Sequence, residues 1–219
     1  MQLDTTTIII IITVLVSIGG FNNQKLIDDL IFYPPAVTQR KQWYRFFTCG
    51  LIHADIAHLA FNMLSLYFFG KNVEKIFIAL MGKQNGILVY LLLYISALAV
   101  SLLPTYSRHK DDYHYRSLGA SGAVSAIIFA GLFLIPGSEV FIFFIPIPIP
   151  GFIFAPLFLL ISFYLDRKGT DNVNHSAHIW GSVYGIVFVI VMGYSVGFPV
   201  FENFINQIKS YMQIKGWTS

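Results

Sequence analysis

The sequence predicts an all-α integral membrane protein, a bundle of six transmembrane helices. Three observations carry that prediction. Hydrophobic residues make up 56% of the 219-residue chain and charged residues only 11%, against about 25% charged in ordinary soluble domains. Mean hydropathy is +0.67. The apolar residues gather into six stretches, about residues 5–21, 53–70, 86–103, 119–135, 150–165 and 177–198. Most approach the ~20 residues a helix needs to cross the hydrocarbon core. No charged side chain lies well inside any of them, Asp55 being near an end. A single membrane domain over residues 1–219 accommodates all six.

The first stretch follows a start that lacks the basic residues and the cleavage site of a secretory signal. It is read as a retained span. Residues 22–52 mix charges with Trp43, Tyr44, Phe46 and Phe47. Such aromatics favour the membrane–water interface, so part of this loop is expected to lie there. Residues 71–85 carry Lys71, Glu74, Lys75 and Lys83, and residues 104–118 carry His109 and His114. Both segments read as polar connections. Residues 136–149 are apolar, but Pro136, Pro146 and Pro148 prevent a regular helix, so they read as a connector. Pro150 and Pro156 weaken the fifth span, and residues 166–176 form a short polar loop.

The composition also excludes functions. A net charge of +3 with no long basic block gives no reason to expect nucleic acid. The lone Cys49 allows neither an internal disulfide nor a cysteine metal site. Of the six histidines only His175 and His178 are three apart, which does not make paired ligand sets, so no metal and no cofactor is expected. A small transporter would carry charged groups at mid-membrane and an inverted repeat; the sequence has neither.

Three polar clusters lie in or beside the spans, where polar groups are expensive and are functional candidates by default. In HADIAHLAFNM, His58 and Asn62 are four residues apart and share a helical face. His53, five residues before His58, falls about 140° away on the same helix and is not expected to join them. In SLGASGAVSA, Ser121 occupies the first turn of the fourth span, where amides are unpaired and the helix end carries positive partial charge. Gly119 and Gly122 allow close approach, and Gly122, Ala126 and Ala130 form a small-residue stripe. In HSAHIWGSVYG, Ala177, Gly181 and Gly185 form a second stripe. His178 lies near that stripe, about 20° from Gly185. If the two stripes pack together, His178 meets Ser121, and a serine needs such a base to be nucleophilic. No carboxylate is placed to complete a triad. The competing reading is that all three clusters serve helix packing alone.

At these residues the sequence resembles the rhomboid family of intramembrane serine proteases. GASGA (Gly119–Ala123), AHIWGSVYG (Ala177–Gly185), HADIAHLAFN (His53–Asn62), WYR (Trp43–Arg45) and GKNVE (Gly70–Glu74) follow the family's order and spacing. The resemblance covers about residues 40–190. It implies a rhomboid-like bundle with the fourth span central and the site in a water-filled cavity below the outer surface. Ser121 would be the nucleophile and His178 the general base. His58, Asn62 and the Ser121 N–H would form the oxyanion hole. Gly119, Gly122, Gly181 and Gly185 would let the helices close around the site, and Trp43, Arg45 and Glu74 would be structural. The substrates would be transmembrane helices of other proteins. The rival within the resemblance is an inactive relative that binds membrane helices for quality control or trafficking.

The sequence departs from the family where an aromatic residue often follows the nucleophile by four positions and supports the base. Here that position is Ser125, which leaves Trp180, Tyr184 or Ser125 itself to orient His178. Span 5 and the 166–176 loop are the candidates for a gate. The compact six-span form suits a bacterial cell (inner) membrane, although basic residues are more numerous in the loops the family would place outside. Oligomeric state is not legible.

Overall fold

The structure, a computed structural model, describes residues 3–142, 145–169 and 171–217. Residues 143 and 144 of the expected 136–149 connector, and residue 170 of the expected 166–176 loop, lie outside that set. The chain is helical almost throughout, as its composition predicts. Lys83–His109 and His175–Ser195 are each long and apolar enough to cross a membrane, and the bent pair Arg45–Leu51 and Ile56–Met81 passes the same test as one broken unit. Thr5–Phe21 and Ser121–Leu134 are shorter apolar helices.

Helix α1 (Thr5–Phe21) starts at Asp4, whose carboxylate accepts the Thr7 N–H at 2.7 Å. Its buried face is Thr6, Thr13, Ser17 and Gly20, so it turns small polar groups inward and Ile and Leu outward. The first loop folds into three short helices, α2 (Gln24–Leu30), α3 (Pro34–Arg40) and α4 (Arg45–Thr48), followed by a 3₁₀ turn, Cys49–Leu51. Arg45 ties this loop together. Its Nη1 donates to the carbonyls of Asp28 (2.8 Å) and Ile31 (2.7 Å), and its Nε donates to Gln42 (2.6 Å). Trp43 is half exposed and rests on Phe46 and Tyr106.

Helix α5 (Ile56–Ser65) continues through a π-helical turn (Leu66–Gly70) into α6 (Lys71–Met81). The expected span 53–70 is therefore offset. Asp55 caps the helix start by accepting the His58 N–H at 2.8 Å, which leaves His53 outside the helix. At the other end, the charges that read as a loop sit in helix. Glu74 is only 3% exposed and accepts the amides of Thr5 (2.8 Å) and Thr6 (2.9 Å) and the Thr6 hydroxyl (2.7 Å). A carboxylate there answers the unpaired donors and positive end of α1.

Helix α7 (Lys83–Val100) runs almost directly into α8 (Leu103–His109), so part of the expected 104–118 loop is helical. Helix α9 (Ser121–Leu134) is the centre of the bundle: Ser121, Ile128 and Phe133 are its only residues that are not buried. Helices α5, α6 and α7 touch it, as do the helices that follow it in the chain. Its last carbonyl is closed by Asn203 (2.9 Å) and Gln207 (3.0 Å) of α12 (Val200–Ile214).

The expected connector at 136–149 contains a β-hairpin, β1 (Glu139–Ile142) antiparallel to β2 (Ile145–Pro150). Alternating prolines exclude helix, but the open edge of a two-stranded ribbon tolerates them because no ladder partner needs their missing N–H. Helix α10 (Gly151–Lys168) follows with Pro156 in its interior, and α11 (His175–Ser195) starts at Asn174.

Candidate active site

Site geometry begins with the packing of α11 on α9, the most extensive helix contact in the molecule. A side chain on Gly181 would overlap the Gly122 carbonyl, and one on Gly185 would overlap that of Ala126. The two small stripes thus interlock backbone to backbone, as close small-residue packing requires. A methyl on Gly122 would sit 3.4 Å from the Ala177 carbonyl oxygen. Ser121 and His178 are the next residues on the two helices. Both are part-exposed. Among the described residues no hydrogen bond joins them.

The strand of chain entering α9 is held at three points. Ser117 pairs with Phe32 of the first loop through two backbone hydrogen bonds of 3.0 and 3.1 Å. Gly119 N–H donates to the Cys49 carbonyl at 2.9 Å. Ala120 N–H donates to His53 Nε2 at 3.4 Å. His53 Nδ1 lies 3.0 Å from Ser17 Oγ, which donates to the Leu51 carbonyl at 2.9 Å. These bonds fit one neutral tautomer, protonated on Nδ1. His53 is 1% exposed, so it serves as an internal strut between α1 and the serine loop.

His58 stands next to this strut, with ring centroids 4.9 Å apart. Ala54 N–H points at its Nδ1 at 3.4 Å, which assigns the proton to Nε2. That nitrogen faces the serine loop: a methyl on Gly119 would lie 2.8 Å from it. Gly119 also holds φ +109°, a conformation that favours glycine, so both the backbone and the His58 ring require a residue without Cβ. Asn62 is buried and donates one amide hydrogen to the His58 carbonyl at 2.9 Å. His58 Nε2–H thus points at the loop before Ser121, beside the unpaired amides at the start of α9.

On the other side, Asn174 joins three elements. Its Oδ1 accepts the Ala177 N–H (3.0 Å) and the Thr105 hydroxyl (3.1 Å), and its Nδ2 donates to Ser117 Oγ (3.3 Å). One side chain therefore caps α11 and ties it to α8 and to the serine loop. A cavity of about 10 Å³, lined in part by Cys49, Ser101, Ser117, Ser121 and Asn174, lies beside the serine and suits a single water.

Among the described residues no hydrogen bond or ring contact joins His178 to Trp180, Tyr184 or Ser125. Trp180 is half exposed, Tyr184 bonds Ser96 of α7 at 2.7 Å, and Ser125 is buried. The rings near His178 are His175, centroids 5.7 Å apart, and Phe158 of α10, at 6.2 Å. His53, Asn174 and His175 went unassigned in the sequence reading. Asp55 and Asn174 are the signals that point to them, since both are strong N-cap residues. Once Asp55 is taken as the cap, His53 leaves the helical wheel that set it aside.

Fold and site together define a polytopic helical membrane protein with a serine at the mouth of its central helix. Comparison with known proteins sets the family. The model of the Rhomboid domain matches residues 40–195, and the chain belongs to the rhomboid family. It is 33% identical over 144 residues to the RHOMBOID-like protein 12, mitochondrial, of Arabidopsis thaliana, covering 62% of this chain and 42% of that protein. It is 26% identical over 177 residues to the rhomboid protease GluP of Bacillus subtilis (80% and 31% covered). It is 26% identical over 187 residues to the rhomboid protease GlpG of Pectobacterium atrosepticum (85% and 60% covered). The chain spans less than two thirds of the length of each of these relatives.

Proposed function

We propose that this rhomboid-family chain is an intramembrane serine endopeptidase that cleaves transmembrane helices of other membrane proteins through a Ser121–His178 dyad, in a six-span bundle. The observation that carries the reading is the interlocked α9–α11 contact, with Gly122 against Ala177 and the loop before Ser121 packed on His58. Ser121 Oγ attacks the scissile carbonyl while His178 takes its proton. His58 Nε2–H, the Ser121 N–H and the second amide hydrogen of Asn62 receive the oxyanion. His178 then returns the proton to the leaving amine, and a water repeats the sequence on the acyl-enzyme. The Ser–His contact closes in the substrate complex, as catalytic hydrogen bonds commonly do. Gly119 is retained because any larger residue would push His58 away.

The test is cleavage of a model transmembrane substrate by the purified chain in proteoliposomes. Ser121→Ala and His178→Ala should each lower kcat by roughly 10³-fold or more, as loss of a triad member does in serine proteases. Equal activity in all three proteins would overturn the reading. Binding of a transmembrane helix without cleavage, and without fluorophosphonate labelling of Ser121, would assign the chain to the inactive, helix-binding class. The membrane concerned, a bacterial cell membrane in this reading, is decided by fractionation.

A further inference from the structure

His178 needs an orienting partner, and the helix that carries Ser121 offers none, since position 125 is a serine. The structure supplies one from the other direction. His175 lies one turn before His178, and the two rings meet edge to face, centroids 5.7 Å apart and planes at 86°. The His175 side chain is only 9% exposed, and its Nε2 lies 3.1 Å from Asp171 Oδ2. Its other nitrogen, Nδ1, is buried with no hydrogen-bond partner among the described residues. A half-satisfied, deeply buried imidazole is costly, and packing alone would be met better by an aliphatic side chain.

The geometry points to Asp171 and His175 as positioning residues for His178, the carboxylate fixing the His175 ring and the ring fixing the base. This rests on the protease reading above. With Nε2–H given to Asp171, the His175 ring cannot turn, and its edge-to-face contact holds the neighbouring imidazole in one orientation. Asp171 also sets one carboxylate behind the base. When His178 accepts the Ser121 proton, the imidazolium forms beside that charge. The proton stays on His178, and none passes to Asp171. The charged and titratable groups that face His178 are His175 on its own helix and His58 across the site from α5, whose charged forms oppose an imidazolium there, and Asp171, whose carboxylate favours it. Asp171 is exposed and its charge is screened by solvent, so the effect on rate is modest.

The test uses the purified full chain with Asp171→Asn, His175→Phe and His175→Gln. Two assays are read against pH: the rate at which a fluorophosphonate labels Ser121, and turnover of a transmembrane peptide, giving kcat and KM. Asp171→Asn removes the charge, and His175→Phe keeps a ring but breaks the tether. Both should lower kcat and labelling about three- to tenfold, with KM within about twofold of wild type. The acid limb of the Asp171→Asn profile should move to lower pH, because the imidazolium loses its neighbouring anion. His175→Gln can still donate to Asp171 but presents no ring edge to His178, so its labelling rate should fall with that of His175→Phe. Wild-type labelling and an unmoved profile in Asp171→Asn and His175→Phe would overturn the proposal and leave the protease reading standing. So would a loss that tracks a fall in melting temperature with no change in the profile. A wild-type chain that neither labels nor cleaves would sink the protease reading itself.

Discussion

If the proposed dyad operates, Gly181 is the position where a single methyl group separates helix packing from catalysis. Built onto the Gly181 backbone, that methyl overlaps the Gly122 carbonyl oxygen and lies 2.9 Å from its carbon. Carbon atoms rest at about 3.5–4.0 Å, so α11 must retreat from α9 by about 1 Å at that level. His178 sits one turn before Gly181 and Ser121 one residue before Gly122, so the retreat is felt directly between the proposed base and nucleophile. A misplacement of about 1 Å costs on the order of 10²-fold in rate. The accompanying overpacking costs about 1–3 kcal/mol of stability. Gly185 is the control. A methyl there meets the Ala126 carbonyl in the same way, 2.8 Å from its carbon, but about one helical turn, roughly 5–6 Å, further from the site. Gly181→Ala and Gly185→Ala should therefore lose similar thermal stability in detergent. Gly181→Ala should cleave a transmembrane substrate about 10²-fold more slowly than wild type, and Gly185→Ala about tenfold or less. Folded Gly181→Ala protein with wild-type activity would refute the argument, as would equal losses in the two variants.

Two further outcomes follow from charges elsewhere in the fold. Glu74→Gln replaces a carboxylate that accepts three hydrogens from Thr5 and Thr6 with an amide that turns a donor toward them. It should cost about 2–4 kcal/mol, read as a lower melting temperature with the α1 amides exchanging first; an unchanged melt would show that α1 does not depend on this cap. In the hairpin that follows α9, the Lys215 ammonium 2.9 Å from Glu139 holds that carboxyl below its usual 4.5. A depressed carboxyl contributes stability that is present above its ordinary value and lost as pH falls through the folded one. The hairpin should therefore release α12 only below pH 4.5, seen as a change in the emission of Trp217, which packs on Tyr211 beside Lys215, and absent in Glu139→Gln. A transition centred above 4.5 would contradict the sign.

What could be read from sequence depended on whether a residue's role was set by its own helix or by a distant one. The two small stripes were legible because period-four spacing on an apolar helix has one consequence, close approach. Gly122 and Gly181 meet as that spacing predicts. The length of α6 was not legible, because Lys71 and Glu74 look like loop charges until α1 brings Thr5 and Thr6 to the carboxylate. The hairpin was half legible: its prolines exclude helix, but strand pairing between Glu139 and Pro150 is a non-local event that no local pattern reports. His53 was misread through one premise, that the helix began before it. With the start moved to Ile56, His53 becomes an extended-chain residue free to reach Ala120. The same logic governs the base. On α9, four residues past Ser121, stands only Ser125, and on α11 Trp180 is half exposed and Tyr184 bonds Ser96. The support proposed for His178 lies one turn earlier, where Asp171 in the preceding loop reaches back to His175. A loop residue four positions before a helix-start histidine can take that place only if the loop folds over the helix end. That fold is a tertiary fact, visible once Asn174 is seen fastening the same corner to α8 and to the serine loop.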